Sequence, residues 1–519
     1  MPTRFREELS LAIASGVLLA LSFPKFGHPA FAWIALTPLL VALGRRMSLA
    51  GAFWLGLLTG NVYLWGTLYW LSNVMTRYGE INLAGSIVIN ALFIAYLALY
   101  PALFAVVVRR LLMAFGPPAL AAVPFVWTAT ELGRMYIFTG FPWVLLGYSQ
   151  TTVLPIAQAA SVVGVFGVSA IVSATSAALA GVVLARAWRP AALVLAGVLL
   201  LAVWGNVRAR TAELTRAGEP IRVGIVQPNT LEEDVEAAVR DPAKGREIVD
   251  RDLSLTRDAL AKGAALVLWP ESGLAPYTMD DFPDVSRAIR ETARQAGVPI
   301  LVGSDQLEWR TSGGKRELER QFNAAFLIRA DGTTAAVYRK IHLVPWGEYV
   351  PLRDLLTFVG PLVRAIGRGF DAGNTMTLLP VGRHPISTAI CYEIIYPDLV
   401  RRFVLEGSEL LTTITNDSWF GKTSAPYQHF EQASMRAIEE GRYLVRSANT
   451  GISGIVDPYG HVLARTDIFH PAVVVGEARL LTATTVYTRI GDVFAYASVV
   501  ITAALLIFAH RNDGQRRGR

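Results

Sequence analysis

The chain has 519 residues, 53% hydrophobic and only 17% charged, with a mean hydropathy of +0.39 and a formal net charge of +7. Soluble globular chains carry nearer a quarter charged residues, so this composition excludes a wholly soluble protein and requires that much of the chain sit in lipid. The basic balance does not point to nucleic acid, because the arginines stand beside apolar spans, where they set topology.

Up to about residue 215 the chain reads as one apolar segment after another, each near the ~20 residues a bilayer core requires. Seven spans are predicted, at 8–24, 30–44, 50–73, 84–108, 117–133, 155–185 and 190–207, and an eighth at 490–510. The first has a weak basic flank and is followed at once by further spans, so it reads as a retained helix and not a cleaved signal. Basic residues are paired on one side of the membrane: Arg4 and Arg6, Arg45 and Arg46, Arg109 and Arg110, Arg186 and Arg189. The other side shows single ones, Lys25, Arg77 and Arg134. The paired side is then cytoplasmic, as is the tail with Arg511, Arg516, Arg517 and Arg519. This predicts a membrane domain over 1–215, an extracytoplasmic domain over 216–487, and a last helix with a cytoplasmic tail over 488–519.

Two outward loops mix aromatics with Gly and Pro: Pro24-Lys25-Phe26-Gly27, and Tyr136 through Trp143. They read either as an interfacial aromatic belt or as lipid-gripping loops beneath the outer domain. Asn61 and Asn90 are uncharged polar residues within spans, and no ladder of acids and lysines runs through the helices, which argues against a proton-coupled transporter.

After a polar linker at 208–219 the hydrophobic period changes. Strands are predicted at 221–229, 265–271 and 299–303, and helices at 245–262 and 283–296. Strands at 322–330 and 333–341 join through Asp331-Gly332, a hairpin turn pair. An apolar strand from Ile386 delivers Cys391, and Tyr396-Pro397-Asp398 opens a helix behind it. A strand at 410–417, a helix at 426–441 and strands at 444–457, 461–466 and 472–478 follow. Alternating strands and helices predict a layered α/β domain.

Three strand ends carry chemistry. Trp269-Pro270-Glu271 places a carboxylate directly after a buried strand, where partial burial suits it as a base. Tyr338-Arg339-Lys340 places an amine at the end of another. The third presents Cys391, the single cysteine of the chain, which excludes an intrachain disulfide. A thiol between a strand end and a helix start sits where backbone N–H groups favour a thiolate, although a lone cysteine is also often only a small buried hydrophobe. Carboxylate, amine and thiol together supply a base, a cation for an oxyanion and a nucleophile. A Cys-His arrangement finds no evident base, since His342 neighbours Lys340 and His384 precedes the strand leading to the cysteine. No metal-ligand cluster or phosphate-cradling glycine loop is present in the sequence, so neither metal nor cofactor is predicted.

In these motifs the chain resembles the nitrilase (carbon-nitrogen hydrolase) superfamily, whose members share a Glu-Lys-Cys triad on an αββα sandwich. With its spans, the whole chain resembles the apolipoprotein N-acyltransferase family. The matching stretches are Trp269-Pro270-Glu271, Tyr338-Arg339-Lys340, His342 to Tyr349, Cys391-Tyr392-Glu393, Thr415 to Gly421, and Arg436-Ala437 to Asn449-Thr450-Gly451. The resemblance implies eight transmembrane helices and a nitrilase-like domain on the periplasmic face of the bacterial inner membrane. It implies transfer of an acyl chain from a phospholipid, through a Cys391 thioester, to the α-amine of a diacylglyceryl-cysteine lipoprotein. Glu271 is then the base, Lys340 the oxyanion partner and Cys391 the nucleophile, with Glu348, Tyr392 and Glu393 around them. Trp419 and Phe420 are candidates for either acyl-site walls or packing, and Asn416 for a turn residue or one that orients a loop. Arg436 and Glu439 read as one face of a helix, a surface pair at the least. One departure stands out: Gln227-Pro228-Asn229 is followed by Thr230 to Asp234 without the tryptophan the family often carries there. The rival readings are a membrane-tethered amidase or nitrilase that hydrolyses a C–N bond, and a transporter or receptor in which Cys391 is dispensable.

Overall fold

The computed structural model describes residues 3–79, 81–351 and 369–517, with side chains over 6–512 of that span. The side chains of Arg4, Arg516, Arg517 and Arg519, which enter the topology expectation, lie outside the described residues.

Each predicted span coincides with helix, but the helices differ from uninterrupted rods. Four are long and apolar enough to cross a membrane among the described residues: Leu83–Phe115, Ala160–Ala185, Trp188–Arg216 and Val493–Asn512. Thr3–Ala20 carries its charges in its first turns. Pro29–Gly44 is shorter, broken at Leu36 just ahead of Thr37-Pro38. Leu49–Leu68 continues as Trp70–Tyr78, and Val123–Tyr136 follows a 3-10 turn at Pro117–Ala122. Glu131, inside the predicted fifth span, is buried, and its Oε1 accepts from Leu146 N at 2.7 Å. It therefore pins the following loop.

The α/β part contains two six-stranded sheets. The first comprises β1 (Glu219–Gln227), β2 (Leu266–Leu268), β3 (Ile300–Ser312), β4 (Lys315–Ile328), β5 (Thr334–Arg339) and β12 (Ala472–Leu480), in the order β12-β1-β2-β3-β4-β5. The second comprises β6 (Leu379–Val381), β7 (His384–Ile390), β8 (Leu411–Thr415), β9 (Leu444–Ala448), β10 (Gly454–Val456) and β11 (Val462–Arg465), in the order β11-β10-β9-β8-β7-β6. At the centres, β1, β2 and β3 run parallel, as do β7, β8 and β9.

Strand alternation explains the layers. Val223, Ile225, Leu266, Leu268 and Leu327 of the first sheet meet Ile386, Ile390, Ile414 and Val445 of the second between the sheets. Val226, Val267, Ile300 and Val302 face outward onto Val249, Leu253, Ile289 and Ala293 of helices Pro242–Ala261 and Pro283–Ala296. The second sheet is covered by helices Pro397–Leu405 and Ala425–Glu440, whose apolar residues run without a break into the core of the membrane helices. Helix Ala425–Glu440 is thus enclosed on both sides. Arg436 and Glu439 are fully buried, 3.1 Å apart, and not a surface pair as their spacing suggests.

Two elements exceed expectation. β3 and β4 extend into an arm closed by Gly313 and Gly314, where Arg316 lies over the Trp309 ring at 4.4 Å. On the arm Leu307 and Trp309 alternate with Glu308 and Arg310, a short signal that the mostly charged stretch Lys315 to Arg320 obscures. Helix Glu232–Arg240 stands where the departure after Asn229 occurs; its acidic first turn disguises it as loop. The strand predicted over 444–457 is two strands, β9 and β10, paired antiparallel.

Candidate active site

The parallel strands all end on one side of the sandwich, and an α/β sheet places its chemistry at those ends. Glu271 follows β2, Cys391 ends β7, Asn416 follows β8 and Asn449 follows β9; Lys340 follows the antiparallel β5. Gly303 on β3 permits the approach, because a Cβ there would lie 2.1 Å from the Pro270 carbonyl oxygen.

Glu271 and Lys340 are both buried, and Lys340 Nζ donates to Glu271 Oε1 at 3.2 Å and to Glu348 Oε1 at 2.8 Å. Asn323 Nδ2, from β4, donates to the same two oxygens at 2.7 and 2.9 Å. Glu271 Oε2 accepts from the Asn416 backbone N–H at 2.8 Å, and Glu348 Oε2 from Val344 N at 2.7 Å. Both carboxylates are therefore fixed through each oxygen. Burial works against the Lys340 ammonium, yet Glu348 and then Glu271 outweigh it, and its pKa is raised. Asp305 joins this acidic surround; burial first, with Glu271 and Glu348 adding, pushes it up to about 6.

Cys391 is buried and adopts φ +52, the left-handed region that a non-glycine residue occupies only under constraint. Burial, and next the charge of Glu271, push its thiol well above the ordinary range, against the pull of Lys340. Its strand-to-helix position, at the start of the 3-10 turn Cys391–Ile395 and ahead of helix Pro397–Leu405, works against that burial.

Glu393 points away from the thiol and braces the site. Its Oε1 accepts from Ile341 N at 2.7 Å, His342 N at 3.1 Å and Tyr338 Oη at 2.8 Å; its Oε2 accepts from Ile390 N at 2.7 Å. One carboxylate thus ties the Lys340 segment to the Cys391 strand. The Tyr392 hydroxyl donates to Gly140 O at 3.3 Å, in the second aromatic loop, and accepts from Tyr396 at 3.0 Å. That loop docks under the site and is not only an interfacial belt: Trp143 is buried and its Nε1 donates to Gln428 Oε1 at 2.8 Å. Phe26 and Phe138 remain 74% and 82% exposed, as a membrane-facing rim requires.

Asn416 orients a loop. Its Oδ1 accepts from Ser418 Oγ at 2.8 Å and Asn449 Nδ2 at 3.0 Å, while its N–H holds Glu271. Trp419 and Phe420 part company. Phe420 packs on Trp70 and Trp143 at 4.9 and 5.8 Å, among the helices. Trp419 meets Tyr78 at 4.5 Å and borders a cavity of about 110 Å³ with Thr230, Glu232, Ser272, Asn416 and Asn449. Helix Glu232–Arg240 walls that cavity where the expected tryptophan is missing, and Glu233 pairs with Arg77 of the membrane part.

His342 stacks on Tyr396 at 3.9 Å, and burial, then Lys340, lower its pKa to about 4. His384 pairs with Glu409 at 2.6 Å at the far end of β7. Sequence reasoning missed Asn323 and His429. Asn323 left a signal, an amide inside the buried run Phe322-Asn323-Ala324-Ala325-Phe326; His429, in a mixed helix, left none.

Two family models match the chain: the apolipoprotein N-acyltransferase N-terminal domain over residues 15–178 and carbon-nitrogen hydrolase over residues 222–486. The chain is 40% identical to an apolipoprotein N-acyltransferase of Geobacter metallireducens, over 98% of this chain and 96% of that one. It is 32% identical to another from Methylococcus capsulatus, over 98% of each. A solved nitrilase-superfamily member from Saccharomyces cerevisiae overlaps 50% of this chain and 90% of its own, at 18% identity and a TM-score of 0.38. The two matched models, in this order and over nearly the whole length shared with those relatives, place the chain in the apolipoprotein N-acyltransferase family.

Proposed function

We propose that the protein transfers an acyl chain from a membrane phospholipid to the α-amine of a diacylglyceryl-cysteine lipoprotein, through a thioester on Cys391. Lys340, held between two carboxylates beside a buried thiol of raised pKa, is the observation that carries this reading. Glu271 takes the Sγ proton, and the thiolate attacks the ester carbonyl. Lys340 Nζ and backbone N–H groups at Cys391 and Tyr392 hold the oxyanion. The intermediate collapses, the C–O bond breaks, and Glu271 returns its proton to the departing lysophospholipid. The neutral amine of the second substrate then attacks the thioester, Glu271 accepts the amine proton, and the amide forms as Cys391 recovers its hydrogen. Dividing ester-to-amide exchange in two replaces one difficult step with two easier ones.

Glu348 orients the ammonium, Glu393 and Tyr392 hold the loops in place, Asn416 positions Glu271, and Trp419 borders the substrate cavity. Eight spans deliver both lipids from within the bilayer, with the domain 216–487 on the periplasmic face of the inner membrane, between the seven-helix domain 1–215 and the last helix of 488–519. An amidase that hydrolyses C–N bonds shares the triad, but a tether does not need a membrane part whose loops pack against the site through Trp143 and Gly140. The test is mass spectrometry of the intact protein incubated with phospholipid. One acyl adduct on Cys391 is expected, released by an acceptor peptide carrying diacylglyceryl-cysteine. Cys391→Ala should lose both adduct and turnover; turnover retained in that variant defeats the covalent mechanism.

A further inference from the structure

His429 is fully buried on helix Ala425–Glu440, and its Nε2 lies 3.2 Å from the carbonyl oxygen of Cys391. A carbonyl only accepts, so Nε2 carries the proton. Nδ1 faces two partners, Nη2 of Arg446 at 3.0 Å and Oδ1 of Asp417 at 3.1 Å. Whichever of the two Nδ1 engages, Nε2–H is the donor to the Cys391 carbonyl. Arg446 is itself anchored by Asp417 Oδ2 at 2.9 Å, with Asp417 Oδ1 3.1 Å from Nδ1. Trp143 and Phe420 flank the ring, at centroid distances of 5.3 and 6.0 Å. Position and plane of this imidazole are both determined by its surroundings.

The carbonyl receiving this bond belongs to the peptide that joins Cys391 to Tyr392. A trans peptide is planar, so holding its C=O also holds the Tyr392 N–H, which points the opposite way. Tyr392 is the second residue of the turn Cys391–Ile395, where the first N–H groups have no acceptor within the helix. A bond donated to the carbonyl polarises the peptide and strengthens its N–H as a donor. The left-handed φ of Cys391 makes this outside support necessary, since the residue would otherwise relax to a commoner conformation.

We propose that His429 is a positioning residue for acyl transfer: by donating Nε2–H to the Cys391 carbonyl, it holds the Cys391–Tyr392 peptide so that the Tyr392 N–H meets the oxyanion of both tetrahedral intermediates. The inference rests on the acyl-transfer reading of Cys391. Because Trp143 flanks the same ring, it also links the nucleophile's backbone to the outward membrane loop.

Two variants test it in the full-length protein. His429→Phe keeps a ring between Trp143 and Phe420 but cannot donate; His429→Gln keeps an N–H near the Nε2 position. Single-turnover mass spectrometry measures acylation from phospholipid and transfer to an acceptor peptide. Infrared difference spectra follow the stretch of a ¹³C-labelled thioester carbonyl, and a small neutral alkylating reagent reports on the thiol. In His429→Phe both half-reactions should slow about tenfold, less than for loss of a direct oxyanion donor. The thioester stretch should move to higher frequency, alkylation should stay within about twofold of wild type, and His429→Gln should recover most of the rate. Wild-type rates with an unshifted carbonyl in His429→Phe overturn the proposal. So do equal losses in both variants with an unshifted carbonyl and lowered thermal stability, which reveal a packing role alone. A wild-type protein that forms no adduct on Cys391 refutes the acyl-transfer reading itself, and is seen separately in the same experiment.

Discussion

Lys340 and Glu271 touch each other but have different tasks, and rates separate them. Lys340→Met removes an oxyanion donor used in both half-reactions, so acylation and transfer should each fall by about 10²–10³. Glu271→Gln keeps the shape and cannot take a proton; because burial raises the pKa of the thiol, thioester formation should be the step that stops. Stopped-flow or quenched single-turnover assays read this directly, and normal adduct formation in Glu271→Gln would pass the base role to Glu348. Glu393 is a different kind of acid, engaged entirely by donors of the chain itself. In Glu393→Gln an amide group replaces one acceptor oxygen and faces a backbone N–H, leaving a buried donor unpaired at a cost of about 1–3 kcal/mol. A lower thermal midpoint accompanied by lost activity is expected, and unchanged stability would remove Glu393 from its bracing role.

Among the elements, helix Ala425–Glu440 shows most clearly what enclosure does to a charged residue. Glu440 is fully buried, with Oε2 accepting from Thr488 at 2.8 Å. Burial first, then the neighbouring Glu439, push its pKa from 4.5 to about 8. The folded protein therefore keeps a proton that the unfolded chain has released above its ordinary value, and stability falls as pH rises from about 4.5 through about 8. Glu440→Gln imitates the protonated acid, so its thermal midpoint should decline less between pH 5 and 9 than that of wild type. Tryptophan fluorescence melts across that range decide it: identical slopes would mean that Glu440 does not titrate there. The same helix carries His429, Arg436 and Glu439 to buried positions, whereas a pattern of mixed polarity ordinarily signals a helix with one wet face.

Across the whole molecule, topology determines which lipids the site can meet. In a Cys391→Ala background, Glu406→Cys, at an exposed position of the outer domain, should react with an impermeant maleimide in cells whose outer membrane is permeable. Arg189→Cys, in the first turn of helix Trp188–Thr211, should react only after lysis. The opposite labelling would overturn both the orientation and the choice of substrates. Contacts such as Tyr78 Oη to Ser418 O at 3.0 Å, and the Arg77–Glu233 pair, join the membrane helices to the α/β part, so the two work as one body around the site.

Local chemistry alone carried much of this far. Apolar runs of bilayer length and the period change near residue 219 determined a helical part followed by an α/β part. Strand ends bearing Glu271, Lys340 and Cys391 were legible because hydrophobic alternation stops where each of them stands. Tertiary structure decided the rest, because burial and partners belong to the packed whole. It buried the cysteine and raised the pKa of its thiol, tied the supporting residue Glu393 to donors of the chain itself, and separated Trp419 at the cavity from Phe420 in the packing. It placed Asn323 between two carboxylates about 50 and 25 residues away along the chain. Hydrophobic periodicity records which face of an element is buried, but not what that face meets, and what it meets determines the electrostatics of every group at this site.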